Sequence, residues 1–174
     1  MNIYVASSWR NNYQPIAVKA LRLAGHEVYD FKNPEGETGF HWSDIDPDWE
    51  QWNTRDFIKA LDNPIAVKGF NSDMEALENA DCTLLVLPCG RSAHLELGFA
   101  VGDGQYTMIW SPKNEEPELM YRMIDFVTDD LEIVLERLAV LGKAWCKDTQ
   151  VVSNILNHPN VALDYDSKHI PRVR

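Results

Sequence analysis

The sequence has few cysteines and no long apolar run. Cys82, Cys89 and Cys146 are the only cysteines among 174 residues, and their odd number and wide spacing fit neither a disulfide framework nor a zinc site. We therefore expect three reduced thiols. No apolar stretch approaches the roughly 20 residues of a membrane helix, and the chain begins in a strand-like segment rather than in the basic and apolar regions of a signal peptide. These absences predict a cytoplasmic protein with no membrane partner.

Basic residues are scarce as well. The 16 Lys and Arg residues stand against 27 Asp and Glu residues, which gives a formal net charge of −11. This balance argues against binding to polymeric nucleic acid, which needs Lys and Arg to displace counterions. It leaves room for a small anion in a local pocket.

Two further patterns are missing, and with them the common cofactor and metal sites. Gly98, Gly102 and Gly104 follow the start of a helix rather than a strand-to-helix turn, so they make no dinucleotide fingerprint. His94 and Glu96 are two residues apart and point to different sides of a helix, which argues against a metal pair. We expect neither a cofactor nor a metal.

What is present suits one globular domain. Hydrophobic residues make up 45% of the chain, and a strand, a helix and a second strand at short spacing indicate a parallel sheet. Residues 82–87 are apolar on both faces, as expected of a central strand. We predict a flavodoxin-like, doubly wound α/β domain over residues 1–141 and a C-terminal extension over residues 142–174. The predicted strands are residues 3–6, 27–31, 82–87, 106–110 and 124–127.

Capping signals place the helices. Asp46-Pro47 fits an N-cap followed by Pro at the first helical position, which predicts a helix over residues 47–61. Asn63-Pro64 repeats the signal and leaves two readings open, one helix over residues 64–79 or a break near Gly69. Ser72 to Glu75 fits a capping box. The other predicted helical segments are residues 15–23, 93–101 ended by Gly102, 117–122, 130–141 and 151–156.

The predicted topology also predicts where a ligand binds. In an open parallel sheet, ligands lie beyond the carboxyl ends of the strands where the strand order reverses, here between the first and third strands. The loops that follow them, residues 7–12 and 88–92, are polar and carry Arg10 and Arg91. The second loop runs into a helix N-terminus, where free N–H groups favour anions. Glu96 lies four residues after Ser92, so both can face this crevice.

Each candidate residue also has a structural interpretation. Glu96 and Asp73 could be acids favoured near a helix N-terminus by the dipole or as caps, and Tyr4 could be an ordinary core tyrosine. Aromatic side chains in the long loop could stack on a nucleobase, although core packing is their more frequent role. These aromatic residues are Phe40, Trp42, Trp49 and Trp52.

Three motifs in order resemble the nucleoside 2-deoxyribosyltransferase family, which includes the related deoxynucleoside 5′-monophosphate N-glycosidases. They are Ile3-Tyr4-Val5-Ala6-Ser7-Ser8-Trp9, then Asn71-Ser72-Asp73-Met74-Glu75-Ala76-Leu77 with Ala80-Asp81, then His94-Leu95-Glu96-Leu97-Gly98-Phe99-Ala100. The resemblance covers residues 1–141. It implies a small nucleoside or nucleotide substrate and cleavage of its N-glycosidic bond.

The resemblance also implies a role for each matching residue. Glu96 matches the family's nucleophile and would form a glycosyl-enzyme. Tyr4 would orient that carboxylate, and Asp73 would contact the base and pass it a proton. In the family, residues of a neighbouring chain close the pocket, and they match the segment around Met120. The resemblance therefore implies a homo-oligomer.

One departure concerns the 5′ end of the substrate. The transferases carry an aspartate in the loop before the helix, whereas residues 88–93 contain no acid. The related hydrolases hold a phosphate with serines and arginine instead, which leaves transfer and hydrolysis both open. A non-catalytic nucleotide-binding module of the same fold is the alternative function, and both arginines could simply pair with surface acids. The predicted substrate-binding residues are Ser7, Ser8, Trp9, Arg10, Gly90, Arg91, Ser92 and Met120.

Overall fold

The sheet of this chain is all-parallel and has five strands. A computed structural model describes residues 1–34 and 38–145. The strands are β1 (Asn2–Ala6), β2 (Glu27–Tyr29), β3 (Cys82–Val86), β4 (Tyr106–Trp110) and β5 (Phe126–Thr128). They lie in the order β2-β1-β3-β4-β5, so the order reverses between β1 and β3. This confirms the predicted flavodoxin-like α/β fold.

Helices cover both faces of the sheet. They are α1 (Gln14–Leu23), α2 (Thr54–Leu61), α3 (Pro64–Glu78), α4 (Arg91–Asp103) and α5 (Leu131–Trp145). Because side chains alternate along a strand, Ile3 and Val5 of β1 pack in the core layer beside α1 and α5, whereas Tyr4 and Ala6 pack in the layer beside α3 and α4. None of the helices in the described residues is long and apolar enough to cross a membrane.

The C-terminal extension is described only at its start. The predicted boundary at residue 142 falls within α5, which continues to Trp145. The rest of the extension lies outside the described residues, together with Cys146 and the helix predicted over residues 151–156.

The helix predicted over residues 47–61 ends where expected, but the predicted start was wrong. Trp49–Gln51 forms one 3-10 turn, and α2 begins only at Thr54. The stronger N-cap is Asn53, whose side chain accepts hydrogen bonds from the N–H groups of Arg55 at 2.8 Å and Asp56 at 3.3 Å. The segment before it is held by the Trp52 Nε1–H, which donates to the Asp46 carboxylate at 2.7 Å.

Helix α3 is unbroken, which settles the alternative at Gly69. Its N-cap is Asn63, whose side chain accepts from the N–H of Ile65 at 2.9 Å. A Cβ on Gly69 would lie 2.8 Å from the Cβ of Phe40, so the glycine allows this close approach of the long loop. Ser72 and Asp73 lie inside α3, and the capping box predicted there was wrong. Asp73 is therefore not a helix-end acid.

Helix α4 is longer than predicted at both ends. It begins at Arg91 rather than at residue 93, which places Arg91 and Ser92 in its first turn. It ends at Asp103, because Gly104 rather than Gly102 adopts the left-handed conformation, with φ +82°.

Candidate active site

A cavity of about 450 Å³ lies beyond the carboxyl ends of β1 and β3, and we call it the β1–β3 cavity. The structure brings most of the predicted site residues to its wall. Those are Ser7, Ser8, Trp9, Arg10, Asp73, Gly90, Arg91, Ser92 and Glu96. Residues not predicted as ligand contacts complete it: Phe31, Phe40, His41, Trp42, Ser43, Trp49 and Ala93.

Glu96 and Tyr4 form a hydrogen-bonded pair at this cavity. Tyr4 belongs to strand β1, between β2 and β3, is 1% exposed, and donates its hydroxyl to the Glu96 carboxylate. Burial and the neighbouring Asp73 charge raise the pKa of Glu96 to about 7, against the lowering effect of the Tyr4 hydrogen bond. Burial, followed by the charges of Glu96 and Asp73, raises the pKa of Tyr4 far above its ordinary range, so its hydroxyl stays a donor.

Asp73 has a tyrosine partner of its own. Its Oδ1 accepts a hydrogen bond from the Tyr29 hydroxyl at 2.8 Å, and Ser72 Oγ lies 3.1 Å from the same hydroxyl. Burial raises the pKa of Asp73, and the Tyr29 bond opposes that rise. Sequence reasoning missed Tyr29. The signal that could have found it is its place in β2 directly beside Tyr4 of β1, where the two rings stack with centroids 5.4 Å apart.

The loop after β1 is tied to the end of β3 by two polar side chains. The Ser7 hydroxyl donates to the Val86 carbonyl at 2.8 Å and accepts from the Asn11 amide at 2.9 Å. The same Asn11 nitrogen donates to the Val86 carbonyl at 3.0 Å. Ser7 therefore lines the cavity without a free proton to offer a ligand. Ser8 differs, because its oxygen only accepts, from the Arg10 N–H at 3.2 Å.

The loop before α4 presents donors to the cavity. Gly90 is the N-cap and has no side chain to cap the helix, so the first-turn N–H groups have no side-chain acceptor from the cap residue. Arg91 and Ser92 follow it, and both are exposed at the cavity wall. Within residues 1–34 and 38–145, neither Arg10 nor Arg91 uses its guanidinium in an ion pair or hydrogen bond. This end of the cavity therefore combines two cations with a helix N-terminus, which suits an anion.

Aromatic side chains form the wall contributed by the long loop. Trp9 is 38% exposed, meets Phe31 edge to face at 5.4 Å and lies 3.9 Å from the His41 ring. A Cβ on Gly39 would collide with the Phe31 carbonyl and lie 2.8 Å from the Trp9 ring, so only glycine lets this loop close on Trp9. The aromatic residues thus pack on one another and also line the cavity.

Met120 does not line the β1–β3 cavity of its own chain. It lies on the 3-10 turn Leu119–Met123 and is 60% exposed. The turn is linked to the loop before α4 through His94, whose ring nitrogens lie 3.0 Å from the Gly90 carbonyl and 2.9 Å from the Tyr121 hydroxyl. Sequence reasoning considered His94 only as a metal ligand and missed this bridge.

Comparisons with known proteins connect the chain to others by structure alone. No protein-family model matches the sequence, and no curated protein is significantly similar to it. A solved 2-deoxyribosyltransferase from Bacillus psychrosaccharolyticus matches with a TM-score of 0.54 at 23% identity, over 76% of this chain and 89% of its own. A CMP N-glycosidase from Clostridium botulinum matches with a TM-score of 0.45 at 14% identity, over 79% of this chain and 97% of its own. The first match shows that this chain shares the fold of a 2-deoxyribosyltransferase.

Proposed function

We propose that this chain cleaves the N-glycosidic bond of a 2′-deoxynucleoside or its 5′-monophosphate, with Glu96 as the nucleophile. The observation that carries the proposal is a pair of carboxylates on one cavity, each held by its own tyrosine. Glu96 accepts from Tyr4, and Asp73 accepts from Tyr29. Paired carboxylates of this kind serve glycosidic chemistry, because one can attack the sugar while the other handles a proton. The family resemblance of the three motifs supports the same roles.

The reaction proceeds in two displacements. In the first, a Glu96 oxygen attacks the anomeric carbon, the bond from that carbon to the base nitrogen breaks, and the base leaves with the bonding electrons. Asp73 in its acid form gives the base a proton, which makes it a better leaving group. In the second, water or another base attacks the anomeric carbon and gives its proton to Asp73, which returns to its acid form, while the bond to Glu96 breaks and releases it as a carboxylate. Tyr4 holds Glu96 in place throughout.

The donor-rich end of the cavity would take the 5′ end of the substrate. Arg10, Arg91, the hydroxyls of Ser8 and Ser92 and the first-turn N–H groups of α4 suit a phosphate, because charge-assisted bonds are about twice as strong as neutral ones. Ser7 positions this loop rather than binding the ligand, since its proton is already used. A free 5′-hydroxyl would leave these donors underused. The 5′-monophosphate is therefore the preferred substrate.

The active form is a homo-oligomer whose neighbouring chain closes the cavity. This part of the proposal rests on the family resemblance at residues 119–121, and the exposed apolar side chains of this turn support it. Leu119 is 80% exposed and Met120 is 60% exposed, and contiguous apolar groups at a surface often mark an interface.

The decisive experiment incubates the protein with a panel of deoxynucleosides and their 5′-monophosphates and measures free base by chromatography. We expect base release, a higher kcat/KM for the monophosphates, and loss of turnover by several orders of magnitude in Glu96→Gln. The matched control is Glu75→Gln, the same change at an exposed position of α3. Binding without base release would favour the non-catalytic module, and near wild-type release by Glu96→Gln would overturn the mechanism.

A second comparison tests the phosphate subsite. We expect Arg91→Ala to lower the kcat/KM ratio of monophosphate to nucleoside by about 10- to 100-fold, the size of one lost hydrogen bond to a charged group. Arg55→Ala, an exposed arginine on α2 that does not line the cavity, is the control. A clear preference for the unphosphorylated nucleoside, with base exchange faster than hydrolysis, would instead indicate a transferase.

A further inference from the structure

We propose that Tyr29 is a positioning residue that fixes the carboxylate of Asp73 toward the substrate base, an inference that rests on the proposed function. Asp73 lies in the interior of a helix, where its side chain could adopt several rotamers. The Tyr29 hydroxyl selects one of them through its 2.8 Å bond to Oδ1. Within the described residues, Oδ2 has no hydrogen-bond partner, so it remains available to a ligand.

The direction of the bonds follows from the number of protons. Tyr29 has one hydroxyl proton, and the carboxylate of Asp73 can only accept it. The 3.1 Å contact with Ser72 must then have Ser72 as the donor. Ser72, Tyr29 and Asp73 form a chain in which each bond polarises the next. Ser72 thus supports Tyr29 as a donor, although Ser72 itself is exposed.

The position of Tyr29 is set by the sheet. Tyr29 pairs in register with Tyr4 in the parallel β1–β2 ladder, and the two rings stack 5.4 Å apart at an angle of 15°. One ring holds Glu96 and the other holds Asp73. The stacked rings therefore fix the distance between Glu96 and Asp73. Both rings are carried by strands of the sheet, which are more rigid than loops.

Asp73 also borders a second cavity, of about 550 Å³, which shares Phe31 and Phe40 with the first. Several other titratable or charged side chains line these two cavities or interact electrostatically with Asp73. They are Tyr4 of β1, Tyr29 of β2, Glu96 of α4, Lys68 of α3, His41 and Asp44 of the long loop, and Arg10 and Arg91. Tyr29→Phe changes none of these charges. It removes one hydrogen bond to the ionised form of Asp73, so the pKa of Asp73 should rise.

The test combines a titration with kinetics on the full chain. Aspartate carboxyl carbons are labelled with ¹³C and titrated by NMR in wild type and in Tyr29→Phe, with Asp73→Asn to identify the Asp73 signal. We expect the Asp73 midpoint to rise by about one pH unit in Tyr29→Phe. We expect kcat to fall by about 10-fold or more with little change in KM, and no further loss when Tyr29→Phe is added to Asp73→Asn.

The control is Tyr13→Phe, which removes a hydroxyl from a tyrosine that packs on Trp110 away from the cavity. A midpoint of Asp73 that is equal in wild type and Tyr29→Phe would overturn the inference, as would kinetic losses that add fully in the double variant. If wild type releases no base from any substrate, the proposed function fails, and the NMR titration alone then decides whether Tyr29 holds Asp73.

Discussion

Replacing Glu96 by glutamine should stabilise the protein at neutral and alkaline pH. The native cavity raises the pKa of Glu96 from 4.5 to about 7, first by burial and then through the Asp73 charge. The native state therefore keeps the Glu96 proton at pH values where the unfolded chain has lost it. By linkage, stability falls as the pH rises. The favourable contribution is complete below about 4.5 and is lost by the time the pH passes about 7.

The size of the effect follows from the same shift. At 1.36 kcal/mol per pKa unit, the displacement of the Glu96 pKa corresponds to about 3 kcal/mol. Glutamine keeps the shape of the side chain and can still accept a hydrogen bond from Tyr4, but it never carries the charge. The unfolding free energy of Glu96→Gln minus that of wild type should therefore grow by about 3 kcal/mol between pH 4.5 and 8.

Urea denaturation of both proteins at several pH values across this window measures the difference directly. Other titrating groups largely cancel in the subtraction, and Glu75→Gln shows whether the change is specific to Glu96. In an Asp73→Asn background, the increase of this stability difference with pH should be smaller, because the Asp73 charge no longer raises the pKa of Glu96. A difference that stays flat with pH would show that Glu96 is not held in a desolvated cavity beside Asp73, and would contradict the proposed active site.

Three other outcomes follow from the site. Base release should have a bell-shaped dependence of kcat/KM on pH, because Glu96 must be ionised and Asp73 must be protonated; a rate profile from pH 5.5 to 8.5 checks this, and a flat profile would contradict it. Asp73→Asn should lower kcat by about 10²–10⁴-fold, and Tyr4→Phe by less, since Tyr4 only orients Glu96; equal, negligible losses would count against both roles. Met120→Asp should lower the mass seen by light scattering together with activity, and a fully active wild-type monomer would refute the shared cavity.

The sheet could be predicted from sequence because its signals are local and mutually consistent. Residues 82–86 are fully buried in β3, as their continuous apolar character predicted. The predicted strand order also predicted the position of the crevice, because the point where the order reverses determines which two loops lie side by side. The loops after β1 and β3 do border one cavity, and this followed without knowledge of any side-chain contact.

The helix boundaries were predicted less well because one local signal occurs in several places. Asp46-Pro47, Asn53 and Asn63-Pro64 all have the composition of a helix start, yet only the second and third cap α-helices. The bond from Trp52 to Asp46 turns the first segment into a loop. The partners in that bond are six residues apart, beyond the three-residue window of a capping motif.

The correction at Ser72 changes how the acid beside it is interpreted. Near a helix N-terminus, an aspartate is stabilised by the dipole and needs no other reason to be there. In the interior of α3, Asp73 has no such support and is instead half-buried, with its pKa raised by the loss of solvent around it. Its stabilising partner comes from β2, and this depends on register: a slip of one residue in that strand would turn Tyr29 to the opposite face of the sheet. Neither the depth of Asp73 in its helix nor the register of a three-residue strand is encoded locally. The position of Asp73 inside α3 and the register of β2 together place its carboxylate beside Glu96, partly desolvated and hydrogen-bonded to Tyr29.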